Sequence, residues 1–156
     1  PEFIKAIRAS GLVGLGGASF PTHIKFNPKN IDEVHTLIVN AAECEPFITS
    51  DHRLMLEDAE DLIAGCQLLM KFIGLDEGYI GIEENKPDAI EHLDKLIAAK
   101  GITIITIMPR TIPRKVFRSF LSVNMATAIF LSAAATVALI TDLRLCQTGR
   151  PYNLER

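Results

Sequence analysis

The sequence predicts an α/β fold, a mainly parallel sheet with helices on both faces. Short, β-branched apolar runs at 36–42, 78–83 and 102–108 lack the alternation of a half-solvated strand. They read as strands buried on both sides. Between them lie two stretches with helical periodicity, each followed by a glycine. Strand, helix, strand, helix, strand is the order of a parallel sheet, whose crossovers are helical.

Each element follows from its residues. Phe3, Ile4 and Ile7 have helical spacing, and Gly11 ends a helix over 3–10. A glycine-dense loop, Gly14-Leu15-Gly16-Gly17-Ala18-Ser19-Phe20-Pro21-Thr22, comes next, and Asn27-Pro28-Lys29-Asn30 reads as a turn. The first strand opens directly into Asn40-Ala41-Ala42-Glu43-Cys44-Glu45-Pro46. Ser50 is the expected N-cap of one long helix, with Asp51 early and Lys71 late as the macrodipole prefers. Its apolar face is Met55, Ala59, Leu62, Ile63, Cys66, Leu69, Met70 and Ile73, and Gly74 closes it. After the second strand, Asn85-Lys86-Pro87-Asp88 starts another helix, capped by Asn85, that runs to Lys100 before Gly101.

The α/β pattern is regular over 1–108. Residues 109–118, with two prolines and four basic side chains, read as an irregular linker. From Ser119 to Thr141 no residue is charged, a length that could cross a membrane. Ser122, Asn124, Thr127, Ser132, Thr136 and six alanines make it too polar and too small for a lipid face. A buried apolar helix over 119–141 is therefore expected. Residues 144–156, with Gly149-Arg150-Pro151, read as an exit segment.

All 156 residues are taken as one domain, long enough to bury its own core. A hydrophobic content of 48% excludes a disordered chain, and a net charge of −3 argues against nucleic acid or anionic lipid as partners. Cys44, Cys66 and Cys146 lie far apart with no C-x-x-C, which suits a reduced, cytoplasmic chain and leaves no four-cysteine cluster site in this segment. The opening Pro1-Glu2-Phe3 suggests a fragment or domain of a larger subunit.

Several residues are candidates for chemistry. The glycine loop would let backbone N–H groups approach phosphates. It fits neither G-x-G-x-x-G, since Ser19 stands where the last glycine should be, nor a Walker A loop, since Lys25 lies too far along. On its own it reads as a tight turn. Asn40, Glu43 and Glu45 follow a strand's carboxyl end, where open parallel sheets place ligands. The same carboxylates could instead cap the helix near Ser50. Glu83 and Glu84 occupy the equivalent place after the second strand. Asn124 and Thr127, one helical turn apart, need partners if buried, from a ligand or from backbone. His23, His35, His52 and His92 show no metal-ligand spacing. Cys44, between two glutamates, is a poor nucleophile.

Together these motifs carry a resemblance. Ser10 through Lys25 closely resembles the glycine loop of the C subunit of the Rnf electron-transport complex. Val39 through Met55 is similar to that protein's second signature, and Ile80 through Ile90 to its third. Val123-Asn124-Met125-Ala126-Thr127-Ala128 is a looser match to a fourth. The flavin-carrying subunit of respiratory complex I is a more distant relative. The resemblance implies a Rossmann-like three-layer domain that binds FMN and exchanges a hydride with NAD(H). Electrons would pass to iron–sulfur clusters in a later part of the parent subunit, outside this chain, and on to ferredoxin. It implies that Gly14, Gly16 and Gly17 bring backbone against FMN and NADH, Phe20 lies on the nicotinamide nucleotide, and Lys25 meets a phosphate or ribose. Asn40 and Glu43 would bind the flavin, Glu45 the nicotinamide side, and Asn124 with Thr127 the flavin phosphate end. No catalytic acid or base is implied, because flavin N5 takes the hydride. The implied partners are the other subunits of a membrane complex, with the domain peripheral on the cytoplasmic face and without a span of its own.

The chain departs from that pattern at Ser19, where glycine is usual, and in the short 109–120 segment, where the family has a glycine- and glutamate-bearing ring contact. If position 19 needs a positive φ, the serine costs of order 1 kcal/mol. Two other readings stay open: the flavin subunit of a cobalamin reductase, and a cofactor-free domain serving as an assembly surface.

Overall fold

The computed structural model describes residues 2–14, 19–43, 47–107, 128–132 and 136–138. The helices are α1 (Glu2–Ser10), α2 (Thr22–Lys25), α3 (Ser50–Glu57), α4 (Ala59–Ile73) and α5 (Pro87–Lys100), and a 3-10 turn spans Ile31–Glu33. The strands are β1 (Thr36–Ala41), β2 (Gly78–Ile82), β3 (Ile104–Ile107) and β4 (Ala128–Ser132). All four pair in parallel, in the order β3-β2-β1-β4. The Rossmann-like α/β class expected from the sequence is the one observed. Among the described residues, no helix is long and apolar enough to cross a membrane.

The core forms where the helical and strand periods meet. Leu37, Val39 and Ala41 share a sheet face with Ile80, Ile82 and Ile104, as the register requires, and all are buried. Leu62, Cys66 and Leu69 of α4 and Ala89, Leu93 and Ile97 of α5 belong to the same cluster, at i, i+3 and i+4 spacings. Each fully buried Leu or Ile contributes roughly 1.5–3 kcal/mol. Burial pushes the Cys66 thiol up to about 12, so it acts as an apolar core residue. Phe3 fastens α1 to this body, its ring 4.2 Å from that of Phe72 and 6.3 Å from that of Phe26.

Three expectations are corrected. The long helix expected from an N-cap at Ser50 to Gly74 is two helices. The first has Thr49 at its N-cap and Ser50 as its first residue, and it is broken from the second at Asp58 (φ −118°, ψ 26°). The Asp58 N–H ends α3 on the Leu54 carbonyl, and the Asp58 carbonyl starts α4 by accepting from Leu62. Glu57, Asp58, Glu60 and Asp61 crowd four carboxylates there, and acidic residues belong in a first turn, not mid-helix. Asn85 does not cap α5. The cap is Lys86, with Pro87 in the first turn and the Lys86 carbonyl accepting from Ile90. Finally, the uncharged stretch 119–141 is not one helix, since 128–132 is strand β4, registered on β1 from Thr36↔Ala128 to Asn40↔Ser132. Residues 136–138 are helical, while 119–127, 133–135, 139–141 and the linker 109–118 lie outside the described residues.

That short helical piece packs on α4 at Gly65. A Cβ built on Gly65 would sit 2.6 Å from Thr136 Cγ2 and 2.7 Å from the Thr136 carbonyl oxygen. Gly74 ends α4 at φ +84°, a left-handed cap in which both its own N–H and that of Leu75 reach the Met70 carbonyl at 2.8 Å.

Candidate functional site

The strand order reverses at β1. From β1 the chain steps outward through β2 to β3, then returns to place β4 on the other side of β1. In open parallel sheets, such a switch opens a crevice at the carboxyl ends of the two strands that flank it. Asn40 stands at that end of β1, exposed, with its Oδ1 accepting the Ala42 N–H at 3.2 Å, which turns the chain out of the sheet.

Glu43 is placed by this turn at the start of α3. Its side chain is only 5% exposed. Oε1 accepts the Asp51 N–H at 2.7 Å and the Ser50 hydroxyl at 3.3 Å, satisfying donors that a helix N-terminus leaves open. Oε2 accepts from Lys86 Nζ at 2.6 Å, and the same ammonium lies 3.1 Å from Glu83 Oε2. Parallel register explains the meeting. Ala41 faces Ile82, so the acidic residues after both strands emerge side by side and need a cation between them.

The electrostatics are mutual. Burial would raise the Glu43 carboxyl, but the Lys86 bond and the N–H groups of Asp51 and His52 outweigh it and hold the group below its ordinary 4.5. Burial pulls Lys86 down, and its two carboxylate partners outweigh that, so its pKa is raised. A second tie joins the first turns of α3 and α5: His52 Nε2 lies 3.0 Å from both Asp88 oxygens.

The glycine loop is closed by its own backbone. Val13 and Pro21 form an antiparallel bridge, the Gly14 N–H donates to the Phe20 carbonyl at 2.8 Å, and the Thr22 N–H to the Leu12 carbonyl at 3.1 Å. Among the described residues nothing demands glycine at 14, since a Cβ there would meet the Phe20 oxygen at an ordinary 3.6 Å. Ser19 has φ +47°, the condition under which its side chain is strained. Ser19→Gly is therefore expected to raise stability by about 1 kcal/mol, read as a higher denaturant midpoint at unchanged m-value. Phe20 is 47% exposed, and burial pulls the Lys25 ammonium below its ordinary pKa. Phe47, at φ +66°, is fully exposed beside the half-exposed Ile48, adding apolar surface to the segment after β1.

Residues 7–117 match the family model of the Nuo51 FMN-binding domain. The chain belongs to this family. Among curated proteins, this Nuo51-type domain is 48% identical over 93 residues to the C subunit of the Na(+)-translocating ferredoxin:NAD(+) oxidoreductase complex of Acetobacterium woodii. That match covers 60% of this chain and 21% of the relative. It is 41% identical over 104 residues to the C subunit of the proton-translocating ferredoxin:NAD(+) oxidoreductase complex of Clostridium ljungdahlii, covering 67% of this chain and 23% of that protein. The C subunit of the ion-translocating oxidoreductase complex of Edwardsiella ictaluri is 42% identical over 113 residues, 72% of this chain and 14% of the relative. The chain thus spans less than a quarter of the length of these relatives. Among solved structures, an NAD+-reducing [NiFe]-hydrogenase in the air-oxidized state superimposes with a TM-score of 0.70 over 91% of this chain and 30% of that one, at 20% identity. That likeness is one of fold.

Within this Nuo51-type domain, the sequence-derived site residues fall into two bonded sets and a remainder. Gly14 and Phe20 are joined across the loop mouth, next to the α2 helix that carries Lys25. Asn40 and Glu43 share the β1 end, with Glu43 bonded to α3 and Lys86. These two sets of bonds have no residue in common. Gly16, Gly17, Glu45, Asn124 and Thr127 lie outside the described residues, as do Cys44 and Cys146. For Glu43 the capping alternative is realised, though as a buried carboxylate and not a solvated one. Lys86 is the residue that sequence reasoning misses. Its signal is a lone lysine three residues after Glu83, in a loop that faces Glu43 only once β1 and β2 are in register.

Proposed function

We propose that this chain is the flavin domain of an Rnf-type C subunit, exchanging electrons between NAD(H) and FMN. In this reading electrons continue to iron–sulfur centres elsewhere in the parent subunit and to ferredoxin. The domain works peripherally at the cytoplasmic face of a membrane complex, against its other subunits. One observation carries the proposal: in a chain of the FMN-binding family, Asn40 stands at the carboxyl end of β1, at the strand-order switch. The donor set suits FMN. Asn40 is exposed with its Oδ1 engaged, so Nδ2 is the donor it would turn to a ligand, Gly14 leaves room for close backbone approach, and Lys25 would supply a cation for phosphate.

When bound, FMN supplies the two-electron acceptor for a hydride from NADH. The residues around it bind and orient. Asn40 would donate to the flavin, and Gly14 with Gly16 and Gly17 would admit its backbone neighbours. Phe20 would present its exposed ring to the nicotinamide side with Glu45, and Asn124 with Thr127 would hold the phosphate end. Glu43 would act from behind, fixing the β1 end to α3. No side chain is required to move a proton.

Titration with FMN tests the proposal. At a hundredfold excess over its dissociation constant, FMN is expected to stabilise the protein by roughly 2.7 kcal/mol, visible as a rise in melting temperature, and flavin fluorescence should change on binding. Asn40→Ala is expected to abolish retention of FMN. Protein that stays colourless with an unchanged melting temperature sinks the flavin reading. The strained Ser19 favours the cofactor-free scaffold as second reading, and the same titration separates the two.

A further inference from the structure

The carboxyl ends of β1 and β2 carry a charge cluster centred on Lys86. Glu43 and Glu83 are both within 3.1 Å of its one ammonium. The Lys86 side chain is 9% exposed, that of Glu43 is 5% and that of Glu83 is 28%. Two carboxylates and one ammonium leave a single net negative charge at the carboxyl ends of β1 and β2, and β1 is the strand that also borders the strand-order switch. Shielded from water, that balance acts over distance more strongly than surface charges do.

We propose that Lys86 is a positioning residue of the cofactor crevice, setting its electrical balance by offsetting Glu43 and Glu83. The inference rests on the flavin reading above. A hydride delivered by NADH, which leaves as NAD+, brings two electrons and one proton, so the acceptor becomes one unit more negative. A buried ammonium favours that added charge, and an unmatched carboxylate opposes it. Lys86 therefore raises the midpoint potential of flavin bound at this site, while Glu83 lowers it.

The test is a redox titration of FMN-loaded protein, wild type against Lys86→Met, Lys86→Arg and Glu83→Gln. Lys86→Met is expected to bind reduced FMN about tenfold more weakly, relative to oxidised FMN, than wild type does. For a two-electron couple that lowers the midpoint by about 30 mV. Lys86→Arg should keep the wild-type midpoint. Glu83→Gln should shift it in the opposite, positive direction, by less because Glu83 is partly solvated. A purely structural Lys86 has no reason to give shifts of opposite sign in these two variants. If Lys86→Met does not fold, the sign in Glu83→Gln decides. An unmoved or negative shift there, or an unmoved midpoint in a folded Lys86→Met, overturns the inference while leaving the flavin reading intact. A wild-type protein that takes up no FMN overturns both.

Discussion

Lys86→Met is expected to lower the free energy of unfolding by up to about 3–5 kcal/mol, because it removes the cation from a Glu43 carboxylate that is 5% exposed and then has only its Ser50 and Asp51 donors. Typical domains have about 5–15 kcal/mol in all, so the variant should unfold at markedly lower denaturant. Replacing both partners, as Glu43→Gln with Lys86→Met, should recover most of the loss, since a neutral pair leaves no buried charge. A double variant as unstable as the single one would show that packing of the Lys86 stem, not charge, is at stake. The pair should also write itself into the pH profile. The Glu43 pKa is lowered, so its contribution is complete above its ordinary 4.5 and is lost as pH falls through the lower folded value. The Lys86 pKa is raised, so its contribution is complete below its ordinary 10.5 and is lost as pH rises through the higher folded value. Glu43→Gln should flatten the acid limb of the stability curve, read by urea unfolding as pH falls below 4.5.

Gly65→Ala is expected to destabilise, against the usual rule for a glycine inside a helix. Alanine should gain up to about 1 kcal/mol of helix propensity. It would also drive a methyl to 2.7 Å from the Thr136 carbonyl oxygen, and backbone cannot rotate away as a side chain can. Overpacking of this kind costs about 1–3 kcal/mol, so set against that gain a net loss of up to about 2 kcal/mol is expected in thermal or urea unfolding. A gain in stability would mean that 136–138 does not rest on α4. Gly65→Ala/Thr136→Ser removes the threonine methyl but not the carbonyl, and should recover only part of the loss.

How far residues announce structure depends here on whether neighbours in sequence or in space decide the outcome. The α4 and α5 helices were legible because Leu62, Cys66 and Leu69, and Ala89, Leu93 and Ile97, repeat at helical spacing and end at glycines with positive φ. The strands β1 to β3 were legible as dense β-branched runs between those helices. β4 was not, because Ala128-Ile129-Phe130-Leu131-Ser132 shows no clean apolar–polar alternation and sits within a longer uncharged run that a helix would match equally well. The β1 end was legible as a polar cluster, since Asn40 and Glu43 stand where the apolar run gives out, although Asn40 proves to be the last but one residue of β1 itself. The division of labour between them was not. Only the register of β1 on β2 brings Lys86 to Glu43, and with it the helix cap that occupies the carboxylate.

The pairing of β4 with β1 has a kinetic corollary. β1 finds β2 across about forty residues, from Leu37 to Gly78, but meets β4 only across about ninety, from Thr36 to Ala128. Closing the longer loop costs more chain entropy, and contacts of high sequence separation form late. β1, β2 and β3 with α4 and α5 should therefore condense first, and β4 should dock last. Pulsed hydrogen exchange during refolding should protect the amides bonded between β1 and β2 before those bonded between β1 and β4; simultaneous protection would contradict this order. The strand-order switch between β1 and β4 exists only after that last step, so under the proposed flavin reading a newly made chain would become competent for FMN at the moment folding finishes, and not before.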